Sequence, residues 1–167
     1  DACLCMGASI GMAFGAEKAQ GKGFSRQSVA VIGDSTFLHS GMTGLLDAVY
    51  NGGTITVLIL DNRITGMTGH QQNPASGFDI HGNPAPQVDL AALVRALGVE
   101  HVREVDAFDL PGLDAALAEE TAREAVSVLI VRRACALLDK RRKPPLVIQG
   151  CRNCGMCMRL GCPALVR

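Results

Sequence analysis

Two short apolar runs, separated by a segment with helical spacing, constrain the fold more than any other feature of the sequence. Residues 29–32 and 54–60 are rich in aliphatic and β-branched side chains, which is typical of buried strands. Between them, residues 40–50 carry apolar side chains at helical spacing, and an Asn-Gly-Gly sequence at 51–53 ends that helix. A strand, a helix and a second strand in this order form a parallel pair whose carboxyl ends lie at one edge of a sheet. We therefore expect the residues that follow the two strands to lie close together.

Polar residues follow both predicted strands. Asp34 follows the first and Asn62 follows the second, at the edge where open α/β sheets bind ligands. A carboxylate, an amide and nearby backbone carbonyls form a hard oxygen set suited to Mg²⁺, with phosphate oxygens completing its shell. Gly33, Ser35 and Thr36 offer N–H and hydroxyl donors to such a phosphate at the start of the helix. The simpler alternative is a capping Asp34 and an Asn62 in a turn, but their positions on successive strand ends favour a metal–phosphate site.

The rest of the chain, up to about residue 131, alternates between helices and strands. A loop rich in Gly, Ala and Ser at 3–15 leads into a helix that continues to about residue 20, and a long Pro/Gly/Asn-rich loop follows Asn62 to about residue 87. The further predicted elements are a helix at 89–97 capped by Asp89, a strand at 99–105, a helix at 110–123 and a strand at 127–131. This alternation predicts an α/β fold with a doubly wound, mostly parallel sheet and helices on both faces.

Composition excludes several classes of protein. The 167 residues have a formal net charge of zero and 48% are hydrophobic, which describes a globular domain with a substantial core and a small appendage. No basic excess indicates nucleic acid as the main partner, and no apolar run is long enough to cross a membrane. The seven cysteines are clustered like ligands rather than dispersed like disulfides, which favours the reducing cytoplasm. The first residue is Asp1 rather than Met, so we expect a fragment of a longer protein.

Four cysteines near the carboxyl end form a ligand pattern, which consists of Cys151, Cys154, Cys157 and Cys162, followed by Pro163. Their spacing is close to the bacterial ferredoxin pattern, whose last interval is one residue shorter. Thiolates at this density suit iron–sulfur clusters or zinc, but zinc sites usually pair two separate Cys-x2-Cys knuckles. We therefore predict a [4Fe–4S] cluster in a partial ferredoxin-like tail, whose second cysteine run is absent.

A basic, proline-ended stretch separates these cysteines from the predicted sheet. Residues 132–167 contain nine basic residues and one acidic residue, which is typical of solvated surface or of a positive rim that attracts acidic proteins. We predict three parts: an N-terminally truncated cofactor-binding domain at 1–139, a linker at 140–150 and the partial iron–sulfur segment at 151–167.

Several motifs together resemble a known family. Gly33-Asp34-Ser35 followed by Asp61-Asn62 resembles the thiamine-diphosphate motif of thiamine-dependent enzymes. The chain is also similar to the 2-oxoacid:ferredoxin oxidoreductases, and within them to the large (α) subunit of members that act on arylpyruvates, through LDNRITGMTGHQ, DACLCMGASIG, VRRACALL and the cysteine cluster. Many thiamine enzymes have Gly where this chain has Ser35, which keeps a small side chain and a backbone N–H at that position.

The resemblance implies a thiamine-diphosphate-binding fold and a specific set of cofactors. These are thiamine diphosphate, Mg²⁺ and, in the intact subunit, two [4Fe–4S] clusters. Asp34, Asn62 and the backbone carbonyl of Ile64 would bind Mg²⁺, with Thr65 and Gly66 near the diphosphate. The long loop after Asn62 would cover the cofactor.

The segment before the first helix would flank the cofactor rings in such enzymes. Met6, next to Gly7, is the candidate for the bulky residue that holds the rings in a bent conformation. An ordinary core methionine is an equally good interpretation. Cys3 and Cys5 are expected to be small buried residues, because nothing nearby completes a metal set.

Two histidines in the long loop, His70 and His81, are candidates for acid–base roles. Most isolated loop histidines are neither catalytic residues nor ligands, so the sequence alone assigns no catalytic residue.

The activity that the resemblance implies is oxidative decarboxylation of an arylpyruvate such as indolepyruvate to an aryl-acyl-CoA, with coenzyme A as co-substrate and ferredoxin as electron acceptor. The partners would be a second (β) subunit and ferredoxin. In such enzymes a separate domain supplies the glutamate that activates the aminopyrimidine, so this segment alone would be inactive. Two alternatives remain. A non-oxidative thiamine-dependent decarboxylase or lyase has no use for the cysteines, and a non-enzymatic electron-transfer module leaves the Asp34 and Asn62 pair unexplained.

Overall fold

A parallel sheet of four strands forms the centre of the computed structural model, which describes residues 4–21, 28–138 and 149–160. The strands are β1 (Val29–Gly33), β2 (Thr56–Asp61), β3 (His101–Asp106) and β4 (Ser127–Arg132). Their spatial order is β1-β2-β4-β3, and every neighbouring pair is parallel. The predicted α/β fold with a parallel sheet is confirmed.

Helices cover both faces of this sheet. The α-helices of the described residues are α1 (Ala8–Gln20), α2 (Asp34–Thr36), α3 (Met42–Tyr50), α4 (Leu90–Ala96) and α5 (Leu110–Thr121), with short 3₁₀ turns at Ala136–Leu138 and Cys157–Leu160. One buried apolar cluster joins α1, α3 and α4 to a sheet face that includes Val57 and Ile59. Side chains alternate along a strand, so Thr56 and Ser127 lie on the opposite face. There their hydroxyls donate to the carbonyl of Glu120 in α5 (3.2 and 3.4 Å).

The helical segment after β1 begins earlier than the sequence predicts. Helical backbone starts at Asp34, directly after Gly33, and continues through a π-helical turn (Phe37–Gly41) into α3. The predicted start of this helix at residue 40 is therefore wrong. At Gly41 this helical segment packs closely against the strand, since a Cβ there would lie 2.8 Å from both Ile32 and Phe37. The absence of a side chain permits this close approach.

The first helix also differs from its prediction. Residues 8–15, predicted as part of a loop, are helical, and α1 begins directly after Gly7, whose φ of +89° is left-handed. Gly11 and Gly15, two of the glycines that suggested a loop, lie inside this helix, and no described atom lies within 4 Å of their Cβ positions. A Cβ on Gly44 of α3 would lie 3.6 Å from Ile10 and 3.9 Å from the backbone nitrogen of Gly11. These are ordinary van der Waals distances, so α1 packs directly against α3 at this point.

The remaining elements lie within two residues of their predicted boundaries. Asp89 caps α4 as predicted, because its carboxylate accepts the backbone N–H of Ala92 (3.0 Å). Between β2 and α4 the chain forms the predicted long loop, in which the regular pairing consists of two isolated bridges, Thr65 with Gln71 and Phe78 with Pro84. This loop follows directly from the strand end that carries Asn62.

Several predictions lie outside the described residues. The predicted linker at 140–150 falls largely at positions 139–148, and Cys3 and Cys162 also lie outside. The division of the chain into three parts therefore stays a prediction. Within the ranges that the structure describes, no helix is long and apolar enough to span a bilayer.

Replacing Gly41 with Ala tests the close packing of the π-helical turn against β1. The new methyl group overpacks Ile32 and Phe37, so we expect Gly41→Ala to lower the free energy of unfolding by about 1–3 kcal/mol. Gly15→Ala is the matched control, because no described atom lies within 4 Å of its Cβ position and Ala should gain about 0.5–1 kcal/mol in a helix. Denaturant unfolding of the purified subunit measures both. Equal stability of the two variants would contradict the packing argument.

Candidate functional site

The carboxyl ends of β1 and β2 bring the two predicted ligand positions to one edge of the sheet. Gly33 pairs in register with Leu60, so Asp34 and Asp61 follow paired positions and Asn62 comes next. This placement results from parallel pairing alone. The described structure therefore has the strand-end arrangement that the sequence predicts.

Asp34 is a buried carboxylate, 3% exposed, whose described hydrogen-bond donors are neutral. Burial raises its pKa, against the opposing effects of the Ser35 backbone N–H and of the Asn73 side chain, whose Nδ2 donates to Asp34 Oδ2 (3.3 Å). The Asp61 carboxylate raises that pKa further, whereas the backbone N–H of Arg63 lowers it. Asp34 thus lies against both the long loop and the turn that follows β2.

Asn73 is a site residue that the sequence reasoning missed. It is buried, and its Oδ1 accepts the backbone N–H of Ala75 (2.8 Å) while its Nδ2 donates to Asp34. An Asn before Pro74 indicates a turn, which the structure has. No local signal places that turn beside a carboxylate 39 positions away.

The turn after β2 has an unusual backbone. Arg63 has a φ of +58°, a region that residues other than Gly rarely adopt. Its N–H donates to Asp61 Oδ1 (3.2 Å), and the next N–H, of Ile64, donates to Asn62 Oδ1 (3.1 Å). The carbonyl of Asn62 accepts the N–H of Cys135, after β4 (3.2 Å). The predicted ligands Asn62 and Ile64 therefore belong to one tightly held turn.

The predicted phosphate-binding residues also come together. The hydroxyl of Thr65 donates to Ser35 Oγ (2.8 Å), which joins the loop to the start of the helix. A Cβ on Gly66 would lie 3.8 Å from Asn62 Nδ2, and no described atom lies within 4 Å of the Cβ position of Gly33. These small and hydroxyl-bearing residues leave room for a group at this edge.

The start of α1 lies against the same helix. A Cβ on Gly7 would overlap the Ser40 hydroxyl and would lie 3.8 Å from Thr36, so only Gly fits there. Met6 is 60% exposed, so the interpretation as an ordinary core methionine is wrong within the described structure. Its predicted role against the cofactor rings stays a prediction. Cys5 is also exposed, so its expected burial is wrong.

The two loop histidines differ in their surroundings. His70 has a left-handed backbone (φ +63°), and its Nε2 is buried with no hydrogen-bond partner among the described residues. His81 is exposed, and its backbone N–H donates to Asp79 Oδ1 (2.8 Å). A catalytic role for either residue stays a prediction.

The cysteine run is only partly described. Cys151, Cys154 and Cys157 are exposed free thiols, and Cys162 lies outside the described residues. Among the described residues no group of three or more His, Cys, Asp and Glu is arranged to hold a metal ion. The iron–sulfur assignment therefore stays a prediction.

The positive charge of the basic stretch is partly neutralised by ion pairs. Arg132 pairs with Asp61 (2.7 Å), and Arg133 pairs with Asp106 (2.8 Å).

The residues at the strand ends fit a divalent cation with a phosphate group. They supply one buried carboxylate, an amide oxygen and a backbone carbonyl, which are the hard donors that Mg²⁺ takes. One carboxylate cannot neutralise such an ion, so phosphate oxygens would have to complete the shell. The raised pKa of Asp34 agrees with a carboxylate whose charge lacks a positive partner.

Comparison with known families agrees with this geometry. The profile of the thiamine pyrophosphate enzymes, C-terminal TPP-binding domain, matches residues 1–131. The chain belongs to this family of thiamine pyrophosphate enzyme domains.

Among curated relatives, the chain is similar to indolepyruvate oxidoreductase subunit IorA of Archaeoglobus fulgidus, with 36% identity over 99% of this chain and 27% of that protein. The same subunit of Pyrococcus horikoshii is 34% identical over 99% of this chain and 28% of that protein. The resemblance predicted from the motifs is therefore confirmed. The chain spans little more than a quarter of the length of these relatives.

Solved structures share the fold. A 2-oxoglutarate:ferredoxin oxidoreductase from Magnetococcus marinus aligns with a TM-score of 0.66 and 18% identity, over 77% of this chain and 45% of that one. A thiamine diphosphate-dependent 4-hydroxybenzoylformate decarboxylase from Rhodococcus jostii aligns with a TM-score of 0.55 and 23% identity, over 77% and 23%. At these identities the likeness concerns the fold.

Asp34→Asn is expected to stabilise the metal-free subunit at neutral pH. Because the folded pKa of Asp34 is raised, folding favours the protonated carboxyl, and wild-type stability falls as the pH rises from the ordinary value of 3.8 through the raised one. The variant escapes this loss, so its advantage should be full above the raised pKa and should vanish at lower pH. Thermal melts in chelator, at several pH values, measure the difference.

Asp79→Asn is the control for that experiment and should have the opposite sign. Hydrogen bonds from the side chain and backbone of Asn83 lower the pKa of the exposed Asp79 carboxylate, so its charge favours the folded state at neutral pH. If Asp34→Asn destabilises the metal-free protein as Asp79→Asn does, the argument about burial of Asp34 is wrong.

Proposed function

We propose that this chain is the thiamine-diphosphate-binding part of an oxidoreductase that oxidatively decarboxylates arylpyruvates, with indolepyruvate as the substrate. The product is an aryl-acyl-CoA, formed with coenzyme A, and ferredoxin accepts the electrons. The observation that carries the proposal is the buried Asp34 beside the Asn62 turn, in a chain that belongs to a TPP-binding family. Its curated relatives are named indolepyruvate oxidoreductase subunits, which supports the substrate.

The residues at the strand ends would hold Mg²⁺ and the diphosphate. Asp34, the Asn62 side chain and the Ile64 carbonyl are the ligands that we propose for Mg²⁺. Thr65 donates its hydroxyl hydrogen to Ser35 Oγ (2.8 Å), so Thr65 would hold Ser35 near the diphosphate and the Ser35 hydroxyl would donate to a phosphate oxygen. When bound, thiamine diphosphate supplies the nucleophilic carbon and the electron sink that decarboxylation of a 2-oxoacid needs.

The other proposed site residues would determine how thiamine diphosphate fits into the site. Gly33 and Gly66 leave space near the phosphates, and Thr36 contributes to the start of the helix. Gly7 lets α1 approach the same helix, so that the exposed Met6 can contact the cofactor rings. Asn73 fastens the long loop to Asp34, so the loop would help to exclude water when the site is filled.

The cysteine run and its partners complete the proposal. We propose that residues 151–167 form part of an iron–sulfur segment, joined by a linker at 140–150 to a cofactor domain at 1–139. Cys151, Cys154 and Cys157 would bind one of two [4Fe–4S] clusters that pass electrons to ferredoxin, and Cys162 would bind the other, as the fourth cysteine of such a run does in two-cluster ferredoxins. A second (β) subunit is the expected partner, and the reducing cytoplasm is the expected compartment for these free thiols.

A non-oxidative thiamine-dependent decarboxylase is the second candidate. It is favoured by the fold that this chain shares with a thiamine diphosphate-dependent 4-hydroxybenzoylformate decarboxylase. That class gives the cysteine run no role. An iron–sulfur absorbance band in the intact protein would separate the two candidates.

Asp34→Ala tests the proposed cofactor site. In the full-length enzyme we expect at least about tenfold weaker binding of thiamine diphosphate in Mg²⁺, which corresponds to about 1.4 kcal/mol. Calorimetric titration measures this affinity, and circular dichroism checks that the protein is folded. Asp114→Ala, at an exposed carboxylate on α5, should bind like wild type. Unchanged cofactor affinity in Asp34→Ala would remove the assignment.

Replacing Cys154 and Cys157 with Ser tests the electron path. Hydroxyls are poor, hard substitutes for thiolates, so one cluster should be lost or converted. Ferredoxin reduction should then fall steeply, while exchange of the substrate carboxyl with labelled carbon dioxide continues and thiamine diphosphate still binds. Cys135→Ser, the same change outside the run, should leave both reactions intact. If the double replacement leaves ferredoxin reduction unchanged, the cysteine run is not the electron path.

A further inference from the structure

Asp61, the last residue of β2, has a buried side chain whose two oxygens have different partners. Oδ1 accepts the backbone N–H of Arg63 (3.2 Å), and Oδ2 accepts Nε–H of Arg132 at the end of β4 (2.7 Å). Asp61 and Arg132 are register partners in neighbouring strands, so backbone pairing places them side by side. Nη1 of Arg132 also reaches Glu104 on β3 (2.7 Å). One guanidinium therefore links the carboxyl ends of three strands.

The turn that Asp61 holds carries the proposed Mg²⁺ ligands. The backbone of Arg63 is left-handed, a conformation that is strained for residues other than Gly. Such a conformation persists only when the surrounding structure holds it. Two successive hydrogen bonds hold it: the N–H of Arg63 donates to Asp61 Oδ1, and the N–H of Ile64 donates to Asn62 Oδ1. The direction of the Ile64 carbonyl and of the Asn62 amide depends on this backbone.

Arg132 also makes two neighbouring carboxylates electrostatically different, because it pairs with only one of them. Asp34 and Asp61 follow paired positions of β1 and β2, so their carboxylates are neighbours at one sheet edge. Asp61 has a positive partner in Arg132, whereas the described partners of Asp34 are neutral. Of the two buried carboxylates, only Asp34 is left to attract a cation.

We propose that Asp61 and Arg132 form a positioning pair for the cofactor site. Arg132 holds Asp61, and Asp61 fixes the turn at residues 62–64 so that its oxygens are directed to the ion bound by Asp34. Neither side chain touches the cofactor. This inference rests on the proposed function, because it concerns the affinity of that same site for Mg²⁺.

Asp106 and Arg133 provide a matched control pair. Asp106 is the last residue of β3, its Oδ1 accepts the N–H of Phe108 two residues later (2.8 Å), and its Oδ2 accepts Nη1–H of Arg133 (2.8 Å). These are the same kinds of contacts as those of Asp61. The Asp106 side chain is, however, 50% exposed, and the turn that follows it carries no proposed ligand.

The experiment measures Mg²⁺ affinity in the full-length enzyme with its partner subunit. Titration calorimetry at saturating thiamine diphosphate compares wild type, Asp34→Ala, Asp61→Asn and Asp106→Asn. Mutation of a residue that orients metal ligands typically lowers metal affinity about 10–100-fold. We therefore expect the Asp61→Asn variant to bind Mg²⁺ at least about tenfold more weakly than wild type. Asp106→Asn should stay within about twofold of wild type. Saturating Mg²⁺ should restore most of the turnover of Asp61→Asn, because that variant keeps every proposed ligand.

Arg132 is tested by two variants, because removing its charge leaves Asp61 buried and unpaired. Arg132→Lys keeps a positive charge there and should retain most of the Mg²⁺ affinity. The double variant Asp61→Asn with Arg132→Gln removes the unpaired charge and should lose no more affinity than Asp61→Asn alone, since the two residues act as one unit. A larger loss of Mg²⁺ affinity in the double variant than in Asp61→Asn alone would overturn the pairing.

The outcomes separate this inference from the proposed function. If wild type binds no thiamine diphosphate, or Asp34→Ala binds Mg²⁺ normally, the proposed function is wrong and the inference falls with it. If those two behave as proposed but Asp61→Asn matches Asp106→Asn in Mg²⁺ affinity, only the positioning role is wrong. A lower melting temperature of metal-free Asp61→Asn with unchanged Mg²⁺ affinity would likewise overturn it, because the pair would then only join strands.

Discussion

The parallel pairing of β1 with β2 is the constraint on which the rest of the site depends. It brings Asp34 and Asp61 to the same sheet edge, where both carboxylates are buried. Burying two like charges side by side is costly unless each is matched. Arg132 matches Asp61, while the described partners of Asp34 are neutral donors. The fold thus leaves one buried negative charge at the place where a cation bound to phosphate would compensate for it.

The long loop shows how a segment without regular structure is held on this edge. Its side chains supply the contacts that a helix or strand would otherwise provide, as when Asn73 caps its own turn and also reaches Asp34. Thr65 likewise joins the loop to Ser35 at the start of the helix. The conformation of the loop is therefore coupled to the charge of the site, because the Asp34 carboxylate accepts hydrogen bonds both from Asn73 in the loop and from the Ser35 backbone N–H at the start of the helix. A ligand bound at Asp34 would therefore act on the loop as well.

Sequence patterns predicted elements better than their boundaries. Apolar runs located β1, β2 and β4, which all contain buried residues, whereas β3 has the mixed sequence HVREVD and no buried residue. Asp89 marked the start of α4 by its own side chain. The glycines near α1 suggested a loop, whereas the structure has Gly11 and Gly15 inside the helix, where no described atom lies within 4 Å of their Cβ positions. The exposed Cys5 and Met6 were also misjudged in part, because composition cannot tell a core side chain from one at an open site.

The sequence by itself determined the order of strands and helices along the chain. It also determined that Asp34 lies beside the Asn62 turn, because a single short helical connection joins β1 to β2 and the right-handed crossover rule leaves one arrangement. Only the tertiary structure decided that Asn73 contacts Asp34 and that Arg132 pairs with Asp61, across 39 and 71 positions of sequence. Those contacts depend on strand order β1-β2-β4-β3 and on the path of an irregular loop. Local propensity carries no information about either, because both result from packing between distant segments.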